Sequence, residues 1–254
     1  MYERELVGPL FRPYVDPLLD GVGLTAGDRV LDLACGTGIV GRVVRERLGD
    51  GARVVGVDLS PLMIGHARTV APAIEFREGS ADALPLADGE QFDVVACQQG
   101  LQFFADKPKA MTEVRRALAP GGRVAFATWR PIEESPFFVE LQRVAEGFAG
   151  PISDVRHSFG DAGAIRSLLE AAGYADIRVE RHERTIRFAD GPTFIRMNAM
   201  AILGMSAAGK AMSEAERIET AGRVAEASAE VARRYADGGG VAFVLATNMA
   251  FARV

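Results

Sequence analysis

Short runs of consecutive apolar residues alternate along this chain with longer stretches in which apolar positions recur every three or four residues. The first pattern predicts strands buried on both faces, and the second predicts amphipathic helices. Mostly apolar runs predict strands at about 29–34, 53–58, 92–97 and 123–129, and another strand is placed at about 73–78. Helical patterns fill the gaps. One runs from Gly38 to about Leu48, where Gly49 stops it. Another opens at Ser60-Pro61, an N-cap followed by proline at the first helical position. A third runs from Asp106, a capping residue, to Leu118, and Pro120-Gly121-Gly122 ends it.

The pattern changes beyond Trp129. One amphipathic helix is predicted at about 136–148, followed by an irregular stretch through His157. Asp161 caps a further helix ending at Gly173, and a strand follows at about 175–188. Residues 190–237 read as helical, with Ser213 and Glu216 spaced as a capping box. Gly238-Gly239-Gly240 releases the chain into a last apolar strand, 241–252. Residues 2–20 read as a helical lead-in with Leu6, Leu10, Val15 and Leu18 apolar, broken by Pro9, Pro13 and Pro17.

This order predicts an α/β fold: a doubly wound, seven-stranded, mostly parallel sheet that ends in an antiparallel pair. Residues 1–254 are expected to form a single domain, with segments 131–160 and 190–237 inserted as a helical cap. Ligands of such sheets bind at the C-terminal edge of the strands, which the cap would cover.

Composition narrows the picture. The chain has 254 residues, 48% hydrophobic and 25% charged, in the range of globular proteins. A net charge of −5 with no basic block argues against a nucleic-acid substrate. No apolar run approaches the roughly 20 residues of a membrane span, and no signal-peptide core is present, so a cytoplasmic location is expected. Two cysteines, Cys35 and Cys97, suit neither a disulfide framework nor a zinc site, and no metal is expected.

The chemistry concentrates in V-L-D-L-A-C-G-T-G-I-V-G-R, Val30 to Arg42. A strand, a glycine turn and a helix start follow one another there. Gly36 and Gly38 let the backbone turn and approach a ligand that a Cβ would repel. Later, Val54-Val55-Gly56-Val57 ends in Asp58, a carboxylate able to accept from both hydroxyls of a ribose. Asp32, shortly before the turn, would oppose a pyrophosphate and favour a cation such as a sulfonium or ammonium. S-adenosylmethionine carries both, together with a ribose.

On these residues the chain resembles the class I S-adenosylmethionine-dependent methyltransferases, in the small-molecule "type 11" group related to ubiquinone/menaquinone-biosynthesis enzymes. Four further segments carry the resemblance in order: Asp58 to Met63, Gly79 to Pro85, Phe92 to Cys97, and Leu118 to Arg123. The resemblance implies S-adenosylmethionine as cofactor, S-adenosylhomocysteine as product and a small-molecule acceptor. It also implies site residues. Asp32 and the Ala34 carbonyl would face the methionine ammonium, within the turn formed by Gly36, Thr37 and Gly38. Asp58 would hold the ribose, Leu59 and Met63 would sandwich the adenine, and Ser80, Ala81 and Asp82 would contact its edge. The Cys97 carbonyl and Gln98 would meet the methionine portion.

Each assignment has a plainer alternative. Asp32 could serve the dipole of the helix that follows, Met63 could be core, and Asp82 a solvated turn acid. Gln98, Gln99 and Gln102 form an amide cluster that could orient a polar acceptor, with Gln99 next to the transferred methyl, or could cap a turn. Phe103 is a candidate substrate wall or core, and Trp129 is a candidate substrate residue. Tyr2 and Phe11 could close the lead-in over the cofactor. His157 is the one histidine expected near the acceptor, as a base or as a cap hydrogen bond. Met197, Met200, Met205 and Met212 could line an apolar substrate pocket, pack on the sheet, or form a homodimer face. An NAD-dependent oxidoreductase is the alternative activity. With its first glycine at position 34, the dinucleotide pattern fails at Ala34. A non-catalytic protein that keeps the pocket is a third reading.

Overall fold

The computed structural model describes residues 3–254. Tyr2 lies outside them. Two compact units form. A sheet unit comprises Phe11–Trp129, Phe159–His182 and Thr247–Val254. A helical unit comprises residues up to Leu10, Arg130–Ser158 and Glu183–Ala246. Apart from Phe159 and Gly160, the segments 131–160 and 190–237 fall in the helical unit.

A π-helical segment, Glu3–Phe11, contains Pro9 and leads into α1 (Arg12–Gly21). Proline cannot donate to the preceding turn and crowds it, which favours such a widened segment. The sheet unit then alternates as expected: β1 (Val30–Leu33), α2 (Ile39–Leu48), β2 (Val54–Asp58), α3 (Pro61–Val70), β3 (Glu75–Glu78), β4 (Phe92–Gln98), α4 (Lys107–Ala117) and β5 (Leu118–Trp129). The sheet order is β3-β2-β1-β4-β5, continued by two later strands. Neighbours from β3 to β5 are parallel, in the register Asp32↔Gly56 and Asp32↔Ala96 about β1. Their apolar side chains, among them Leu31, Leu33, Val55, Val95 and Phe126, pack with Met111 and Val114 of α4 into one core. Burial on both faces is why β1, β2 and β4 read as mostly apolar runs, whereas in the edge strand β3 only Phe76 is buried.

Caps fall where the side chains can supply them. Ser60 Oγ accepts from the Met63 N–H, and Asp106 accepts from the Lys109 N–H. One boundary differs from expectation: β5 begins at Leu118, not at 123. Leu118 pairs with Phe92 before the register shifts to Arg123↔Val94, with Gly121 at φ 75° inside the irregular stretch.

In the helical unit, α5 (Pro136–Ala149) precedes α6 (Ala162–Ala171) of the sheet unit, which Asp161 caps through the Ala164 N–H. The chain continues through β6 (Ala175–Phe188) and four helices: α7 (Gly191–Leu203), α8 (Ala207–Ala211), α9 (Glu214–Ala227) and α10 (Ala229–Arg234). Both bonds of the Ser213–Glu216 capping box form at the start of α9. The expected helical stretch therefore breaks at Gly204, Met212 and Ser228, and it ends before 237 in β7 (Ala236–Asp237), which pairs with the start of β8 (Gly240–Arg253). Counting that two-residue strand, the sheet has eight members; without it, the path is the expected seven, β3-β2-β1-β4-β5-β8-β6. β8 is antiparallel to β5. The helical unit has its own core, in which Phe137 stacks on Phe243 at 4.2 Å and Phe188 on Phe194 at 3.7 Å.

Candidate functional site

Strand order reverses between β1 and β4, because β2 and β3 lie to one side and β5 to the other. Loops leaving neighbouring parallel strands diverge at such a point and open a crevice. A cavity of about 340 Å³ lies there, at the C-terminal ends of β1, β2 and β4 and wholly within the sheet unit.

Asp58 ends β2 and lines this cavity. Its Oδ2 accepts from the Gly36 N–H at 2.8 Å, and its Oδ1 accepts from the Ser60 N–H at 2.9 Å. The glycine turn after β1 and the start of α3 thus hold the carboxylate from both sides. Each oxygen still has a lone pair, so the pair can accept from two adjacent hydroxyls. Leu59, next in the chain, is 70% exposed, and Phe103 is 54% exposed. Both line the cavity, so two large apolar side chains are held in water where a flat ring could cover them.

Two non-glycine residues of the lining have left-handed backbone: Ala34 after β1, at φ 54°, and Gln99 after β4, at φ 56°. That conformation costs an L-residue roughly 1–2 kcal/mol. The Ala34 methyl also dictates its neighbour. A Cβ on Gly100 would lie 2.4 Å from Ala34 Cβ and 2.8 Å from Cys97 Sγ, so only glycine fits. Gly38 answers both demands at once, with φ 80° and a Cβ position 2.7 Å from the Phe76 ring.

Beyond β3, the Ser80 hydroxyl donates to Asp82 Oδ1 at 2.5 Å, and among the described residues none donates to Asp82 Oδ2. Ser80, Ala81 and Asp82 all line the cavity.

Other expected site residues stand behind the wall. Asp32 is 1% exposed and turns toward α2, accepting from the Gly41 N–H at 2.9 Å. Burial, reinforced by the Asp58 charge, pushes its carboxyl up to about 7, against the Gly41 N–H and the Arg42 charge. The helix-side alternative therefore describes its direct contact. Thr37 and Cys97 are buried, and burial pushes the Cys97 thiol up. Met63 is half-buried outside the lining. Gln98 Nε2 donates to the Phe11 carbonyl at 2.7 Å, and Gln102 Nε2 to the Gln99 carbonyl at 2.9 Å. Trp129 packs edge-on against Tyr14 at 5.4 Å, is 5% exposed and is not part of this lining.

Met197, Met200 and His157 belong to the helical unit. Met200 packs against the core that includes Ala199 and Ile202. His157 Nδ1 lies 2.7 Å from the Arg130 carbonyl. A carbonyl only accepts, so Nδ1 carries the proton and Nε2 keeps its lone pair. Burial lowers the pKa of this imidazole, with the Arg130 carbonyl and the Asp154 charge opposing. Spacing gave no sign of the cluster beside it, in which Arg156 bridges Asp154 at 2.5 Å and Asn198 at 2.9 Å.

The glycine loop alone does not decide the ligand. Gly36, Gly38 and Gly41 are spaced G-x-G-x-x-G, so the departure at Ala34 is no argument against a dinucleotide. A Cβ at Gly41 would meet Val54 at 3.1 Å and Asp32 Oδ2 at 3.4 Å, close packing that the third glycine of either class serves. The buried acid under the turn remains the distinguishing feature. Among the described residues, no three His, Cys, Asp or Glu side chains gather to hold a metal ion, and no helix is long and apolar enough to cross a membrane.

A family model described as a methyltransferase domain matches residues 31–126, which hold every cavity residue. A demethylmenaquinone methyltransferase of Thermus thermophilus is 41% identical over 154 residues, covering 58% of this chain and 66% of the relative. A demethylmenaquinone methyltransferase of Lactococcus lactis is 30% identical over 180 residues, covering 63% of this chain and 71% of the relative. The chain spans less than two thirds of the first curated relatives it matches, at 66%, 33% and 65% of their lengths. Among solved structures, the YcgJ protein of Bacillus subtilis shares the fold with a TM-score of 0.61 at 20% identity, covering 95% of this chain and 97% of that one.

Proposed function

This chain belongs to the class I S-adenosylmethionine-dependent methyltransferases of the ubiquinone/menaquinone-biosynthesis type, and from that premise we propose that it methylates a small-molecule acceptor. The single observation that carries the proposal is Asp58, held by two backbone N–H groups at the mouth of the switch-point cavity.

The residues present fit the cofactor. Asp58 offers one free acceptor position per oxygen to the two ribose hydroxyls. Leu59 and Phe103 offer exposed apolar faces to the adenine, and Asp82 Oδ2 offers an acceptor to its exocyclic amine. The Asp58 and Asp82 carboxylates of the lining make the cavity favourable to a cation. When bound, S-adenosylmethionine supplies a methyl carbon whose bond to sulfur breaks as the acceptor's lone pair bonds to it, leaving the neutral thioether S-adenosylhomocysteine. The chain's main task is then alignment, an effect that reaches roughly 7–11 kcal/mol in the most favourable model reactions.

A hydroxyl acceptor must also lose a proton. We assign that step to His157, whose Nδ1 is fixed on the Arg130 carbonyl so that Nε2 keeps its lone pair. Demethylmenaquinone, the molecule in the relatives' names, is the first acceptor to try. A cytoplasmic setting belongs to the same proposal, and the two unpaired buried cysteines suit a reducing compartment.

Thermal-shift titration tests the cofactor choice. S-adenosylhomocysteine is expected to raise the melting temperature and NAD to leave it unchanged. Stabilisation by NAD alone would replace this proposal with the oxidoreductase reading.

A further inference from the structure

One short segment after β4 supplies Gln99, Gly100, Phe103, Phe104 and Ala105 to the cavity lining. Its entry is anchored, because the Gln99 N–H donates to the Ala127 carbonyl of β5 at 2.9 Å. The chain then makes a single 3₁₀ turn, Leu101–Phe103. The Phe103 N–H donates to the Gly100 carbonyl at 2.9 Å, and the Phe104 N–H to the Leu101 carbonyl at 3.3 Å. Phe103 projects from this turn with half its surface in water. A ring that its neighbours do not clamp keeps its place only if the backbone beneath it does.

The exit of the turn is gripped from behind. Lys107 does not line the cavity, but its Nζ donates to the Gln102 carbonyl at 3.3 Å and to the Phe104 carbonyl at 3.0 Å. Those two carbonyls flank Phe103 in the chain. The same Nζ lies 5.0 Å from the centroid of the Phe159 ring, whose electron-rich face favours a cation. Phe159 packs on the core that contains Leu101 and Met111, so the ammonium is tied to the body of the sheet unit. Partial burial lowers the pKa of Lys107, and the carbonyls and the ring stand in for the water it has lost. Lysine is also a rare choice in this chain. Of its 29 basic residues, only Lys107, Lys109 and Lys210 are not arginine. A compact ammonium with rotatable donors suits two carbonyls and an aromatic face, whereas the flat arginine fork suits carboxylates and phosphates.

We propose that Lys107 is a positioning residue of the cofactor cavity: by holding the carbonyls on either side of Phe103, it sets the ring against which the adenine lies. The proposal rests on the cofactor-binding reading above, and adds to it a residue that stands behind the wall.

The test is calorimetric titration of S-adenosylhomocysteine into full-chain variants, with circular dichroism to establish folding. Lys107→Met keeps the stem and loses the charge. A wall that reaches its binding geometry about a tenth of the time binds about tenfold more weakly, and a rise in Kd of about tenfold is expected. Lys107→Cys should show the same rise. Alkylation of that variant with 2-bromoethylamine rebuilds an ammonium at nearly lysine length and should restore the wild-type Kd. Cys35 and Cys97 are buried, so the new thiol is the one that reacts. In a Phe103→Ala background, Lys107→Met should change Kd by less than about twofold, because the ring it positions is gone. A folded Lys107→Met protein with Kd within about twofold of wild type, the full rise in the Phe103→Ala background, or no recovery on alkylation would overturn the proposal and leave Lys107 a structural role alone. The cysteine variant, before and after alkylation, decides the matter where the methionine variant does not fold. Failure of wild-type protein to bind S-adenosylhomocysteine would instead overturn the cofactor-binding reading, and the proposal with it.

Discussion

Replacing Asp58 by alanine removes the carboxylate that the proposal sets against the two ribose hydroxyls. A hydrogen bond to a charged partner contributes about 1.5–3 kcal/mol. Two such bonds give about 3–6 kcal/mol, or about a hundredfold to ten-thousandfold in Kd. Asp58→Asn is a milder perturbation with its own signature. One oxygen remains, but the new amide NH₂ must face the N–H of either Gly36 or Ser60, which now donate to Oδ2 and Oδ1. One bond is lost, so its Kd should rise about tenfold to a hundredfold. The assay is calorimetric titration of S-adenosylhomocysteine into each variant, with circular dichroism to establish that the variant is folded. Repeating the titration with the 2′,3′-dideoxy analogue isolates the hydroxyls: wild type and Asp58→Ala should bind that analogue alike. A folded Asp58→Ala protein whose Kd for S-adenosylhomocysteine stays within about threefold of wild type would refute the reasoning.

Three further outcomes are expected. Asp32, held at about 7 by burial, keeps its proton more tightly folded than unfolded. Its contribution to stability is therefore complete below about pH 4 and is lost as pH rises to about 7, by up to about 4 kcal/mol. Asp32→Asn, which can still accept from Gly41, should flatten that slope in denaturation curves taken from pH 4 to 8, and an unchanged slope would contradict the assignment. Gly100→Ala should destabilise by about 1–3 kcal/mol through overpacking against Ala34 and Cys97, and Ala34→Gly should recover part of the loss. Strict additivity in urea denaturation would show that the two positions do not meet. His157→Ala should slow turnover of a hydroxyl acceptor without changing S-adenosylhomocysteine affinity; full turnover would remove the base assignment.

Much of the sheet unit was legible because its signals are local. The central strands are mostly apolar runs, and the Ser60, Asp106 and Asp161 caps bond within three residues of themselves. Asp58 was legible for a related reason, since a carboxylate that ends such a run must emerge at the strand edge. What a side chain does next was not. Asp32 lies one residue before the end of β1 and Asp58 ends β2, yet one turns under α2 and the other into the cavity, a choice set by which backbone N–H lies within reach. The packing of Trp129 on Tyr14 of the distant α1 was not legible in the sequence. Gln99 Nε2 and Thr247 Oγ1 meet at 3.0 Å from positions 148 residues apart, and no periodicity relates them. The lead-in and the break of 190–237 into four helices depend on proline, on glycine and on packing partners that single-segment patterns do not contain.

A crystal grown with S-adenosylhomocysteine tests the central claim most directly. The expected density places both ribose hydroxyls on the Asp58 carboxylate, with the adenine against Leu59 and Phe103. Density for the nucleoside at any other place on the chain, with the switch-point cavity clear, would contradict it.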